Sequence, residues 1–240
     1  MLLRKVDDHE VSARRLVATL PMPTSFRAAV MSCDVDGGLE IESALPGTER
    51  FSVARMRKFR LGRTCAARAM NALGKNVGVL PIGSDRAPVW PGGVVGSITH
   101  SADISVAVVA ASDQVAAIGI DLETSKVLKP SLAERISTPG ELDGIDVEGA
   151  DEGLLLFSMK EAIFKCVSRF VERFVDFTDV SVSVDTDRMT FGIRSSTLPA
   201  LHSIRGEIFG LYRVDSGSVI TLAFREATAR QSALPSKPGQ

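Results

Sequence analysis

The sequence predicts an α+β fold of two similar halves, each with a long helix and several strands. One helical pattern spans about residues 48–73 and a second spans about 151–170, and apolar strand patterns follow each of them. A chain of 240 residues that is 45% hydrophobic can bury a substantial core. We expect residues 1–112 to form an N-terminal half, 113–226 a C-terminal half and 227–240 a disordered tail.

The first predicted helix is unusually basic. Residues 1–46 are weakly patterned and should contain only short strands, and the helix should then run from Thr48, a suitable N-cap, to Leu73, with Gly74 ending it. Most of its cations are expected to be solvated. Arg55 and Arg63 lie two turns apart, however, and such a pair could hold separate phosphates of one extended ligand.

Three apolar strands should follow, at Val94–Thr99, Ile104–Ala111 and Val115–Glu123. The prolines and glycines before them mark an irregular segment, in which Trp90 should be anchored against the core. The first strand ends with Thr99 and His100, which are polar donors suited to phosphate oxygens. The Gly-x-Ser-x-Gly context of a serine hydrolase is missing around them.

The third strand carries two acids. Alternation places Gly119, Asp121 and Glu123 on one face, and two neighbouring carboxylates suit Mg²⁺. Gly119 leaves room for a ligand or for another backbone to approach. Acids at a strand end that simply face solvent are the alternative.

The second long helix should run from about Asp151 to Phe170, after a polar connection with a short helix near residues 131–136. Glu161 and Lys165 lie one turn apart on its polar side. They could form an ordinary surface ion pair, worth about 0.2 to 0.5 kcal/mol. Alternatively, Glu161 supplies a third carboxylate to a metal, while Lys160 and Lys165 reach phosphate oxygens. Four antiparallel strands should complete the chain, at residues 180–184, 189–193, 204–213 and 218–224.

The bulk properties narrow the class of protein. A net charge of -1 offers no general attraction to nucleic acid or an anionic membrane, so we expect neither as a partner. The three cysteines form no CxxC pair, which argues against a zinc site and suits a reducing cytoplasm. The start of the chain is too charged for a signal peptide, and no window is apolar enough for a membrane span. We expect a cytoplasmic monomer.

Three blocks, GSITHS, GIDLE and FSMKEAIFK, occur in this order at residues 96–101, 119–123 and 157–165. Together they resemble the signature blocks of 4'-phosphopantetheinyl transferases of the surfactin and enterobactin synthase type. RMRKFRLGRTCAARAM and DRAPVWP upstream are similar to blocks of the enterobactin-type branch. Many members carry Trp where this chain has Phe157, whereas enterobactin-type relatives often have Phe.

This resemblance implies two α+β halves related by a pseudo-twofold, with coenzyme A and Mg²⁺ in the cleft between them. The metal ligands would be Asp121, Glu123 and Glu161. The remaining positions that match groups around coenzyme A are Arg55, Arg63, Arg86, Thr99, His100, Lys160 and Lys165.

The implied reaction transfers 4'-phosphopantetheine from coenzyme A to a serine of an apo acyl or peptidyl carrier protein and releases adenosine 3',5'-bisphosphate. Lys165 and His100 would stabilise the phosphate oxygens, and Glu161 would accept the serine proton, directly or through a water. Two alternatives stay open on the residues alone: a metal-dependent phosphohydrolase and a non-catalytic module that binds coenzyme A or a carrier protein.

Overall fold

The α+β class is confirmed by a computed structural model of the chain, which contains five helices and eight strands among the residues it describes. Those residues are 8–34, 47–75, 78–83, 86–101, 103–124, 127–171 and 173–228. The predicted tail lies outside them, apart from its first two residues. The helices are α1 (Asp8–Thr19), α2 (Val53–Ala72), α3 (Pro130–Ile136), α4 (Glu152–Val167) and α5 (Pro199–His202). The strands are β1 (Ala28–Asp34), β2 (Val94–Ser101), β3 (Ile104–Ala111), β4 (Val115–Glu123), β5 (Val180–Asp185), β6 (Thr190–Ser196), β7 (Phe209–Asp215) and β8 (Ser218–Glu226).

The strands form two antiparallel sheets, of order β1-β3-β2 and β4-β8-β7-β6-β5. Helix α2 packs on the first sheet, where Cys65, Ala69 and Met70 are fully buried against β3. Helix α4 packs on the second sheet through a stripe that includes Leu155 and Met159. Each long helix therefore buries its apolar side against one sheet, as the helical spacing of those residues predicts.

A third apolar cluster joins the two sheets. Leu16 of α1, Val106 of β3, Ile120 of β4 and Leu222 of β8 belong to it and are almost completely buried. Since β2 and β4 are each the edge strand of a sheet, this cluster brings two sheet edges close together. That junction positions the polar residues of the candidate site.

Three sequence expectations were wrong. Helix α1 occupies a region where only short strands were expected; Ala13 and Leu16 give it a buried face, and Leu20 is buried just after its end. Helix α2 begins at Val53, because the Ser52 hydroxyl rather than Thr48 caps it by accepting a hydrogen bond from a backbone amide of the first turn. Strand β7 begins at Phe209, since residues 205–207 form a turn of 3-10 helix.

Candidate active site

Strands β2 and β4 are joined through side chains. Alternate residues of β2 reach across to β4: the Ser97 hydroxyl accepts a hydrogen bond from the Ile120 amide at 3.1 Å, and the Ser101 hydroxyl pairs with that of Thr124 at 2.9 Å. Between them, Thr99 donates to Oδ1 of Asp121 at 3.0 Å. The period of two in the strand therefore lines the junction with buried hydroxyl groups.

Asp121 is the centre of this junction. Its Oδ1 accepts from Lys165 Nζ at 2.7 Å as well as from Thr99, and its Oδ2 accepts from the Ser158 hydroxyl at 2.9 Å. Thr221, the cross-strand neighbour of Asp121 on β8, bonds in turn to the Ser158 carbonyl at 2.8 Å. Although the Asp121 side chain is only 6% exposed, both of its oxygens have donors, as a buried charge requires.

Helix α4 lies directly over Asp121 because Gly119 has no side chain. A Cβ at Gly119 would lie 2.1 Å from the Ala162 carbonyl oxygen and 2.6 Å from the Cys166 amide nitrogen. The glycine thus makes room for a backbone, not for a ligand, which was one of the two roles predicted for it. This close packing lets Lys165 reach over the strand to the carbonyl of Ile120 at 3.0 Å and to Asp121.

Glu161 lies near the same group. Burial raises the pKa of its carboxyl, the positive charge of Lys165 lowers it, and the negative charge of Asp121 raises it. Lys165 forms its ion pair with Asp121, so the surface pair of Glu161 and Lys165 that the spacing allowed is not the observed contact. Glu123 follows Asp121 on the same face of β4 and is half-buried.

The carboxylate oxygens of these acids are suitable ligands for a divalent cation. A carboxylate has about four acceptor positions, and three are used on Asp121, so one remains. Burial is the main cause of the raised pKa of Glu161, and a cation near Asp121 and Glu161 would offset the repulsion from Asp121 that adds to it. Among the described residues, however, no three His, Cys, Asp or Glu side chains form a group that could hold a metal ion. The predicted set of Asp121, Glu123 and Glu161 therefore stays a prediction.

His100 lies on the other face of β2, towards α2. Its Nδ1 is 2.8 Å from the hydroxyl of Ser105 on β3, and Gly62 of α2 packs against the ring. Desolvation by these surroundings is the largest cause that lowers the pKa of His100 to about 4, and the charges of Lys165, Lys58 and Arg63 lower it further. The imidazole is therefore neutral near pH 7. The residue as a whole is nevertheless partly open to solvent.

The two arginines of α2 that were predicted to bind phosphates differ in environment. Arg63 is buried, stacks 4.6 Å from the centre of the Phe59 ring, and donates from Nε to the Leu80 carbonyl at 3.1 Å. Desolvation lowers its pKa to about 10, which still leaves it charged at neutral pH. Arg55 is exposed and stacks 4.4 Å from the centre of the Phe51 ring. Only Arg63 is close enough to His100 to influence its pKa.

A cavity of about 520 Å³ adjoins Lys165 at the junction of the sheets. Its wall includes Trp90, Gly96, Ile118 and Arg169. Trp90 covers Gly96, where a Cβ would lie 2.5 Å from the indole, so the expected anchoring of Trp90 against the core is confirmed. Arg86 is exposed beside this wall in a left-handed conformation with φ 68°.

Lys160 does not fit the predicted phosphate contact. Its side chain and that of Glu141 are both 0% exposed and form an ion pair of 2.9 Å. Nζ also donates to the carbonyls of Ile136 at 2.7 Å and Phe177 at 2.8 Å. Since all three of its hydrogens have protein acceptors, Lys160 holds α4 to the connecting segment and is unavailable to a ligand.

Sequence reasoning missed three residues that support the site: Ser105, Glu141 and Thr221. Their partners lie 5, 19 and 63 residues away, at His100, Lys160 and Ser158. Ser and Thr are ordinary in strands and Glu is ordinary in a polar connection, so only the folded chain reveals these contacts.

Two family models match the chain, one in each half of it. The model of the 4'-phosphopantetheinyl transferase N-terminal domain matches residues 48–110, and that of the 4'-phosphopantetheinyl transferase superfamily matches residues 117–206. The chain is 34% identical over 189 residues to 4'-phosphopantetheinyl transferase Svp of Streptomyces mobaraensis, covering 75% of this chain and 77% of that protein. The chain belongs to the 4'-phosphopantetheinyl transferase family.

Other relatives extend the match along the chain. 4'-Phosphopantetheinyl transferase PptT of Mycobacterium tuberculosis is 30% identical over 222 residues, covering 86% of this chain and 96% of that protein. Enterobactin synthase component D of Escherichia coli is 38% identical over 113 residues, covering 43% of this chain and 50% of that protein. The chain is thus a transferase that acts on carrier proteins. No helix in the described part of this phosphopantetheinyl transferase is long and apolar enough to cross a membrane.

Proposed function

We propose that this transferase takes 4'-phosphopantetheine from coenzyme A in a Mg²⁺-dependent reaction and transfers it to a serine of an apo carrier protein. The proposal rests above all on Asp121, which gathers Thr99, Lys165 and Ser158 at the sheet junction. The adjoining cavity offers room for part of an extended donor. A buried acid paired with a lysine, and a neutral imidazole close enough for that lysine to influence its pKa, are suited to phosphoryl transfer.

In the proposed reaction the serine oxygen forms a bond to the phosphorus that bears the pantetheine group. The bond from this phosphorus to the bridging oxygen of the pyrophosphate breaks, and adenosine 3',5'-bisphosphate leaves with that electron pair. Glu161 takes the serine proton, directly or through a water. Its raised pKa, due mainly to burial, makes it a better proton acceptor than an exposed glutamate.

The other residues of the site would orient the donor. Lys165 and Nε2 of His100 would contact pyrophosphate oxygens. Arg63, Arg55 and Arg86 would contact other phosphates of coenzyme A. Asp121, Glu123 and Glu161 would hold Mg²⁺. A bound Mg²⁺ supplies neutralisation of the negative charge on the pyrophosphate oxygens.

The acceptors we infer are carrier domains of nonribosomal peptide, siderophore, polyketide or fatty acid synthesis. One relative is named as a component of enterobactin synthase, which supports a siderophore carrier as the first acceptor to test. All site residues come from one chain, which supports a monomer as the active unit.

Intact mass spectrometry of an apo carrier incubated with the protein, coenzyme A and Mg²⁺ tests the proposal. We expect a mass gain of one phosphopantetheine group, no gain with Asp121→Ala or with a metal chelator, and a normal gain with Asp187→Ala, in the turn after β5. Mg²⁺ binding is measured separately by calorimetry. Absence of transfer to several carriers despite coenzyme A binding would contradict the reaction, and Glu161→Gln with normal turnover would contradict its role as base.

A further inference from the structure

Ser105 is a buried residue of β3 whose hydroxyl contacts His100 of the candidate site. The two residues face each other across the β2–β3 hairpin and are register partners. Ser105 is 0% exposed, and its hydroxyl oxygen lies 2.8 Å from His100 Nδ1. We propose that Ser105 is a positioning residue that fixes the tautomer of His100, so that the ring presents an N–H group on Nε2 to a phosphate oxygen of the donor substrate.

The direction of this hydrogen bond follows from what each group can satisfy. A neutral imidazole has one N–H donor and one acceptor nitrogen, and a hydroxyl has one hydrogen to donate. Among the described residues, the Ser105 hydroxyl has no hydrogen-bonding partner other than Nδ1. If Nδ1 carried the hydrogen, the buried hydroxyl hydrogen would lack an acceptor, and an unsatisfied buried donor is unfavourable. Donation from Ser105 to Nδ1 avoids that arrangement.

This direction determines what the other side of the ring offers. With Nδ1 as acceptor, the hydrogen of the neutral ring must be on Nε2. Within the described residues Nε2 has no protein partner, and Lys165 and Arg63 are close enough for their charges to act on the ring. An N–H among these cations attracts a phosphate oxygen, whereas the lone pair of the opposite tautomer would repel it.

Gly62 restricts the orientation of the same ring. A Cβ at this position of α2 would lie 2.6 Å from His100 Cε1 and 2.9 Å from Ile98 Cγ2. The helix backbone therefore lies against the imidazole on one side while Ser105 holds Nδ1. Together they leave the ring little freedom to rotate.

The tautomer is measured without any substrate. The chain has three histidines, so ¹⁵N-histidine labelling gives three imidazoles, and His100→Gln assigns the signals of His100. At neutral pH we expect a protonated Nε2 and an unprotonated Nδ1 in the wild type, and a mixture of tautomers in Ser105→Ala. Ser101→Ala removes a buried hydroxyl from the next residue of β2, which pairs with Thr124 and not with the ring, and it should leave the ring spectrum unchanged. A protonated Nδ1 in the wild type, or an unchanged spectrum in Ser105→Ala, would overturn the proposal.

The consequence for catalysis rests on the proposed function and is tested separately. We expect Ser105→Ala to raise the KM for coenzyme A about tenfold with a smaller effect on kcat, as loss of a supporting hydrogen bond does at other sites. Ser105→Thr, which keeps the hydroxyl, should restore the KM, and thermal unfolding checks that each variant is folded. A KM unchanged in Ser105→Ala would overturn this positioning role. Lack of transfer by the wild type would instead contradict the proposed function and leave the tautomer result standing.

Discussion

Replacement of the two lysines of helix α4 should have different effects: loss of Lys160 should mainly lower stability, and loss of Lys165 should mainly lower activity. Lys160→Met leaves the carboxylate of Glu141 at 0% exposure without a counter-charge, and leaves the carbonyls of Ile136 and Phe177 without their donor. Removing one partner of a buried ion pair costs about 3 to 5 kcal/mol. Since a domain is stable by about 5 to 15 kcal/mol, this is a large share of the total.

Lys165→Met should cost less stability and more activity. The Lys165 side chain is 29% exposed, and Asp121 keeps its hydrogen bonds from Thr99 and Ser158. We expect a loss of about 1 to 2 kcal/mol, because both partners are less completely buried than the Lys160 pair. Transfer to the carrier should fall by about a hundredfold or more, since the proposed electrostatic contact to the reacting phosphates is lost.

Urea denaturation followed by circular dichroism gives the stabilities, and carrier modification at low temperature gives the rates. The double variant Lys160→Met, Glu141→Gln is the matched control. Because Glu141→Gln removes the buried carboxylate that Lys160→Met leaves unpaired, the double variant should be more stable than Lys160→Met alone. If Lys160→Met were within about 1 kcal/mol of the wild type but inactive, Lys160 would be a ligand contact and our interpretation of the buried pair would be refuted.

Four further outcomes are expected. Gly119→Ala should destabilise the protein by at least about 1 to 3 kcal/mol in thermal unfolding, because the methyl group collides with the α4 backbone; full stability would contradict that packing. The ring of His100 should titrate near pH 4 by NMR, and a midpoint near its usual 6.5 would show that the surroundings do not disfavour its charge. Arg63→Ala should raise the KM for coenzyme A more than it lowers kcat, whereas equal loss of kcat and kcat/KM would indicate a contact made only in the transition state. A hydrogen bond from Arg173 lowers the pKa of Asp179 to about 2, so the stabilisation by Asp179 is complete above pH 3.8 and lost towards pH 2. Asp179→Asn should therefore cost about 1 to 2 kcal/mol in urea at pH 7, a modest value because Arg173 is exposed, and almost nothing at pH 2.

Much of the fold could be predicted from local patterns. Strands β3 and β4 have the predicted limits, and helix α4 begins one residue after the predicted start because Asp151 is its N-cap. These segments are strongly apolar or strictly periodic, so local spacing is sufficient. Helix α1 was missed although Ala13, Leu16 and Leu20 recur at helical intervals, because the surrounding polar residues weaken the pattern.

The site could be predicted only in part. The predicted strands singled out Thr99 and Asp121 as candidate site residues, and the structure places both in contact with each other and Asp121 in contact with Lys165. The two lysines of α4 look alike in the sequence, and only the folded chain shows that Lys160 has a buried partner in Glu141. Such a distinction depends on contacts between distant segments, which local spacing does not contain.

Because the candidate site lies at the junction of β2 and β4, its contacts can be lost while the secondary structure of both sheets is kept. The Ile120 amide donates to the Ser97 hydroxyl of the other sheet, not to a strand of its own ladder. If the two sheets parted briefly, both ladders would survive, but Thr99 would leave Asp121 and the amide would exchange its hydrogen with solvent. The deuterium uptake of the Ile120 amide would thus report how often β2 and β4 separate at the candidate site while both sheets remain folded.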